Sequence, residues 1–213
     1  MRKAAPFIVE QAADSKKQMT FSDHARVFFK GVLDPLGTFF NKLGLMPNTM
    51  TILGLVGNTI GAYFLARGDM LVGGILILLM GPVDALDGTM ARLRGEPTKF
   101  GAFVDSVTDR YSELVIFMGL LFFYLQKADW LMAGVVYLAA AGSVLVSYAR
   151  SRGQSLGYDT KVGILTRFER YLVLGPALIF NLPWLGAWII AIFANLTAIQ
   201  RILDVRRQAY KEK

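Results

Sequence analysis

The chain has 213 residues, with 23 Lys and Arg against 16 Asp and Glu for a formal net charge of +7, a length that fits one domain or two. Its apolar share of 54% against 18% charged residues, with a mean hydropathy of +0.43, sets it apart from soluble domains, where about a quarter of residues are charged. Cysteine is absent, which excludes disulfides and thiolate metal sites. The apolar residues fall in blocks, at 70–83, 114–125 and 130–146, that reach bilayer-spanning length once their flanks are counted.

Taken in order, residues 1–20 read as a polar tail, with no apolar core and small-residue cleavage site of a secretory signal. Residues 21–45 form an amphipathic segment. Val27, Phe28, Val32, Leu36, Phe39, Phe40 and Leu43 recur at helical spacing among Arg26, Lys30 and Lys42, as in a juxtamembrane helix lying on a bilayer surface. The same pattern also suits a helix packed on protein. Pro47 breaks the chain, and Asn48 can cap the helix that follows.

Six spans are predicted, at 49–66, 70–93, 100–125, 130–151, 165–180 and 184–202, the fifth being weakest because Arg167, Glu169 and Arg170 sit in its first turns. The fold expected is therefore all-α and integral to the membrane: six transmembrane helices over 46–204, an interfacial amphipathic helix before them, and a basic tail at 205–213. The turns at 67–69 and 126–129 hold only Arg67 and Lys127 as basic residues. Nearly all other Lys and Arg lie on the opposite side with both termini, which the positive-inside rule makes cytoplasmic. The net positive charge thus reads as membrane orientation and not as a nucleic-acid surface. Trp130, Trp184 and Trp188 near the other ends suit an aromatic belt.

Ionisable groups inside spans are costly and point to function. Asp84 and Asp87, three apart, share a face at the end of the second span; Asp105 and Asp109, four apart, share one at the start of the third. The loop 92–99 turns the chain between them, so the two pairs converge near one membrane surface. Like charges at contact would drive protons on, unless one or two divalent cations neutralise them. Oxygen ligands suit magnesium, manganese or calcium. Gly88 and Gly101 leave room for a ligand or helix near the backbone, Ala91 adds a small side chain, and Arg92 and Thr98 can meet phosphate oxygens.

Asp84-x-x-Asp87-Gly88-x-x-Ala91-Arg92, eight residues, then Gly101-x-x-x-Asp105-x-x-x-Asp109 resembles the signature of the CDP-alcohol phosphotransferase family at every fixed position. The resemblance implies a six-helix membrane fold, a homodimer, and an active site at the cytoplasmic interface. It implies that Asp84, Asp87, Asp105 and Asp109 hold two magnesium or manganese ions, and that Asp109 also serves as base toward the acceptor hydroxyl. Gly88, Arg92 and Thr98, with Ala91 and Gly101, would meet the CDP part of a CDP-diacylglycerol-type donor. Pro47-Asn48-Thr49-Met50-Thr51 is similar to the start of the family's first span, which adds Asn48 and Thr51 as nucleotide contacts. The implied reaction is attack of an alcohol oxygen on the β-phosphorus, with loss of CMP.

The acceptor is read from a second basic group: Arg150, Arg152, Lys161, Arg167, Arg170 and Arg201. Facing one cavity, they would form an anion pocket for a phosphorylated alcohol. Asp105-Ser-Val-Thr-Asp109-Arg110-Tyr-Ser-Glu113, Ser147-Tyr148-Ala-Arg150 and Arg167-Phe-Glu169-Arg170 are similar to segments of phosphatidylinositol-phosphate synthases, whose acceptor is inositol 1-phosphate. Phosphatidylglycerol-phosphate synthases and archaeal ether-lipid enzymes are the alternatives within the family. A cation transporter or a non-catalytic lipid-binding protein is the alternative outside it. His24, the one histidine, lies away from the motif, and Glu113 either supports the site or pairs with Arg110 or Arg170.

Overall fold

The computed structural model describes residues 21–95 and 97–211. The tail at 1–20 and the side chain of His24 lie outside the described residues. Among the described residues seven α-helices follow in order: α1 Phe21–Lys42, α2 Pro47–Arg67, α3 Met70–Arg94, α4 Lys99–Gln126, α5 Trp130–Ser155, α6 Arg167–Ile179 and α7 Pro183–Lys211. No strand occurs among the described residues.

Four helices, α2, α3, α5 and α7, are long and apolar enough to cross a membrane. The chain is an all-α membrane protein. The expected third span, 100–125, corresponds to α4, whose first turns carry Lys99, Asp105, Asp109, Arg110 and Glu113 and dilute its apolar character. The expected fifth span, 165–180, shortens to 13 residues in α6, because residues up to Thr166 remain extended and loop-like. The expected tail at 205–213 continues α7 as helix as far as Lys211. Pro47 takes the first position of α2, where its missing N–H costs nothing. Met46 is the N-cap residue and no side chain caps the helix, so Asn48 is not the cap.

Helix neighbours close a ring. α2 packs on α3 and α4, α3 on α6, α6 on α7, α7 on α5, and α5 on α4, with α1 laid against α3. Small residues permit the close crossings. An added Cβ on Gly119 of α4 would lie 2.9 Å from the Cα of Ala62 on α2. The core inside the ring is apolar, drawing Leu65, Ile77, Leu120, Val136, Leu178 and Ile190 from six different helices, all fully buried. The outer faces are apolar too: Ile60, Leu79, Phe122, Leu138, Ile192 and Ile199 are exposed. An apolar core with an apolar outside is what a lipid-facing bundle requires.

Tight turns join the helices at the end remote from the aspartates. Gly68, with φ +90°, closes α2 in the left-handed region and sits against Phe123 of α4. The Gln126 side chain donates to the Ala66 carbonyl across the same turn. Of the aromatic residues expected there, Trp130, Trp184 and Trp188 are all exposed.

α1 has two apolar faces. Leu33 and Phe40 pack with Leu45 and Val83 against Met50, Leu86 and Met90, while Val32, Leu36, Phe39 and Leu43 remain exposed. The helix thus packs on α3 and presents an apolar strip outward. Arg94 locks the junction, donating from Nε to Asn41 Oδ1 at 2.7 Å and from Nη2 to the Leu45 carbonyl at 2.5 Å.

The α2–α4 crossing is testable. Gly119→Val should lower the unfolding temperature of detergent-purified protein by about 3–10 °C, the cost of overpacking a tight contact. Tryptophan fluorescence on heating measures it. An unchanged midpoint would mean the two helices do not touch there.

Candidate active site

The C-terminal end of α3 and the N-terminal end of α4 meet across the short loop at 95–98, and each brings its aspartates on one helical face. Carboxylate oxygens of Asp84, Asp105 and Asp109 lie within 4.8 Å of one another. Asp109 is buried, and its Oδ1 has no hydrogen-bond partner. Asp87 is also buried, but it turns toward α2: Thr51 donates to its Oδ2 at 2.6 Å and Gly88 N–H to its Oδ1. The structure therefore gathers three of the four expected ligands and pairs the fourth with Thr51.

This donor set fits a hard divalent cation. It offers carboxylate oxygens alone, one of them buried and unpartnered, in a space too small for three uncompensated negative charges. The compensating charge present is Arg167. From the first turn of α6 its Nη1 pairs with Asp109 Oδ2 at 2.7 Å and its Nη2 with Asp84 Oδ2. Arg110 also reaches Asp109, at 3.3 Å. Tyr171, one turn along α6, lies under the Arg167 guanidinium, 5.6 Å from ring centre to Cζ.

The expected donor residues line the same end of the molecule. Gly88 is exposed, and nothing lies within 4 Å of the position its Cβ would take, so a ligand can approach the backbone there. Thr98 caps α4 by accepting from Gly101 N–H at 2.9 Å. A Cβ on Gly101 would meet Thr98 Oγ1 at 3.0 Å and Asn48 Oδ1 at 3.6 Å, so Asn48, Thr98 and Gly101 form one cluster. Arg92 is exposed in the last turn of α3 and donates to Thr89 Oγ1 at 3.0 Å; Ala91 is half-buried.

The six basic residues assigned to the acceptor phosphate separate. Arg167 stands on the aspartates. Arg170 is buried and bound to Glu113 through Nε at 2.8 Å and Nη2 at 2.6 Å. Arg201 is buried on α7 and donates to the backbone carbonyls of Val162 at 3.0 Å and Val146 at 2.7 Å. Arg150 is half-buried and Arg152 exposed at the end of α5, where Arg152 reaches Ser155. Lys161 is exposed in the loop and pairs at 2.6 Å with Asp159, holding that carboxyl below the usual carboxylate range by its hydrogen bond.

One positioning residue has no mark in the sequence. Thr197 on α7 accepts from Ile164 and Leu165 N–H, both at 3.2 Å, and with Arg201 it fixes the loop that delivers Arg167. Nothing in the pattern of a mostly apolar span marks Thr197; the one available signal is a polar residue facing inward on a membrane helix.

Comparison with known proteins agrees with this geometry. Residues 44–200 match the CDP-alcohol phosphatidyltransferase family. The chain is 36% identical over 203 residues to a phosphatidylinositol phosphate synthase of Streptomyces avermitilis, covering 87% of this chain and 82% of that protein. It is 33% identical over 180 residues to an archaetidylinositol phosphate synthase of Pyrococcus horikoshii, covering 84% and 93%. Among solved structures, Mycobacterium tuberculosis phosphatidylinositol phosphate synthase with CDP-DAG bound superposes with a TM-score of 0.77 at 27% identity, covering 82% of this chain and 93% of that one. The same enzyme with manganese and citrate also gives 0.77, covering 81% and 88%. With the family match spanning most of the helical ring and the aspartates in place, this chain belongs to the CDP-alcohol phosphatidyltransferase family.

Proposed function

We propose that the chain is a membrane phosphatidylinositol-phosphate synthase: it transfers a phosphatidyl group from a CDP-diacylglycerol-type lipid to inositol 1-phosphate and releases CMP. The observation that carries this reading is Arg167 on Asp84 and Asp109. It puts a fixed guanidinium beside the carboxylates, where a phosphorylated alcohol can lay its phosphate next to the group that receives its hydroxyl proton. Relatives named for inositol-phosphate chemistry support the same acceptor. The cation-transport alternative finds no support in the family to which the chain belongs.

Asp84, Asp105 and Asp109 would hold a divalent cation, with Asp87 joining if it leaves Thr51; two ions, magnesium or manganese, match the number of carboxylates. Bound there, the metal would neutralise charge on the donor pyrophosphate and on departing CMP. The chain's own residues do the rest. Asn48, Thr51, Gly88, Ala91, Arg92, Thr98 and Gly101 cradle the cytidine diphosphate. Asp109 takes the proton of the acceptor hydroxyl, whose oxygen bonds to the β-phosphorus as the bond to the bridging oxygen breaks. Arg92 steadies the leaving phosphate. Most of the rate would come from positioning and charge neutralisation.

The six helices of the ring would all enter the bilayer, five of them crossing it in full and α6, at 13 residues, only in part. α4, at 28 residues, is long enough, and its charges sit at one end, facing the site. The positive-inside pattern sets the aspartate end and both termini in the cytoplasm. α1 would lie along that surface through Val32, Leu36, Phe39 and Leu43. A homodimer remains part of this reading from the family resemblance.

Three outcomes test it. Purified protein in detergent with magnesium and CDP-diacylglycerol should release CMP with inositol 1-phosphate, and not with glycerol 3-phosphate, inositol or serine; release with one of these instead reassigns the acceptor. Asp109→Asn should lower that rate at least about 10²-fold, the usual contribution of a positioned base, while the protein stays folded. Chelation with EDTA should abolish CMP release and added Mg²⁺ or Mn²⁺ should restore it; turnover that survives chelation would refute the metal role of the aspartates.

A further inference from the structure

Arg167 and Arg170 stand three apart in one basic stretch, yet they have different partners. Asp109 and Glu113, four apart on α4, face Arg167 and Arg170, three apart on α6. The result is a ladder of two ion pairs between the helices. Its outer rung joins Arg167 to Asp109 at 2.7 Å, with the arginine side chain 30% exposed. Its inner rung joins Arg170 to Glu113 at 2.6 and 2.8 Å, with side chains 2% and 5% exposed. The third bond of Arg170 goes to the Leu165 carbonyl at 3.2 Å, two residues before Arg167. The cavity beside this rung, lined by Glu113, Arg170 and Tyr171, measures about 10 Å³, too small for a substrate.

Burying a carboxylate and a guanidinium is poorly explained by stability, since apolar residues of the same volume commonly serve as well or better. The rung does have a geometric effect. It fixes the first turn of α6, and the loop entering it, at a set distance from the α4 turn that carries Asp109. We infer that Glu113 and Arg170 are a positioning pair, which sets Arg167 on Asp84 and Asp109 and so fixes where the phosphate of the acceptor lies relative to its attacking hydroxyl. The acceptor half of this statement rests on the function proposed above; the placement of Arg167 does not.

A substitution cycle on Mn²⁺ affinity, read by electron paramagnetic resonance without turnover, tests the placement. Arg167→Ala removes a cation from two carboxylates and should tighten Mn²⁺ binding about tenfold, within the range of couplings between contacting groups. In a Glu113→Leu/Arg170→Met background, which keeps the volume and removes both charges, the same Arg167→Ala change should alter affinity less than about threefold. An equal factor in both backgrounds overturns the inference. If the apolar pair does not fold, Glu113→Asp, which keeps the charge and shortens the rung by one methylene, goes through the same cycle under the same criterion.

Turnover tests the second half. The apolar pair should raise KM for inositol 1-phosphate about tenfold and leave KM for CDP-diacylglycerol within about twofold, a split that general loosening of the fold would not give. Equal rises in both overturn the acceptor role. Wild-type protein that does not turn over inositol 1-phosphate refutes the proposed function instead, and the Mn²⁺ cycle still decides the positioning.

Discussion

Three carboxylates held within 4.8 Å of one another at the end of an apolar bundle set the terms for everything around them. In a low-dielectric setting such a group stays charged only if cations stand against it. Arg167 supplies one from α6, Arg110 lends a second at longer range, and the remaining demand is what gives the site its appetite for a divalent ion. That demand dictates which helices must meet. α3 and α4 bring the acids, α2 brings Thr51 to the fourth, and α6 brings the guanidinium. The closed ring of helices is the arrangement that lets all four converge at one end while their far ends are tied by short turns.

The two sides of the site differ in how they are built. The side proposed for the donor is open and rests on backbone: an exposed Gly88 with empty space over it, and a Gly101–Thr98–Asn48 cluster at the start of α4. The side proposed for the acceptor is braced from several directions. Arg201 and Thr197 on α7 hold the loop by its backbone, and Glu113 on α4 holds Arg170. A lipid donor has many rotatable bonds and needs room; a small rigid acceptor has to be held to within fractions of an ångström, because misplacement by about 1 Å can cost two orders of magnitude.

Much of this was legible in the sequence, for definable reasons. The aspartates announce themselves because charge is rare in spans and because i, i+3 and i, i+4 spacing puts them on one face. The helices α2, α3, α5 and α7 follow from uninterrupted apolar length. What escaped is what depends on partners distant in the chain. Arg167, Arg170 and Arg201 look alike in a basic stretch, yet one meets carboxylates, one meets Glu113, and one meets backbone carbonyls. Asp87 could not be told from its neighbours until α2 brought Thr51 against it. α6 came out shorter than its apolar run because the residues entering it are held in a loop by tertiary bonds to Thr197 and Arg201.

That short helix has a physical consequence. Thirteen residues rise only about 20 Å, against a hydrocarbon thickness of about 30 Å. A ring of otherwise full-length helices with one member a third too short is a vessel with a notch in its rim. In the function proposed above, water would follow the loop at 156–166 into the notch, as far as Arg167. Lipid meanwhile stays against the apolar outer walls. The two reactants of the proposed reaction dissolve in different phases, one in the plane of the membrane and one in water. The notch is where those phases touch over the carboxylates, so neither reactant would have to leave its own solvent until the moment they meet.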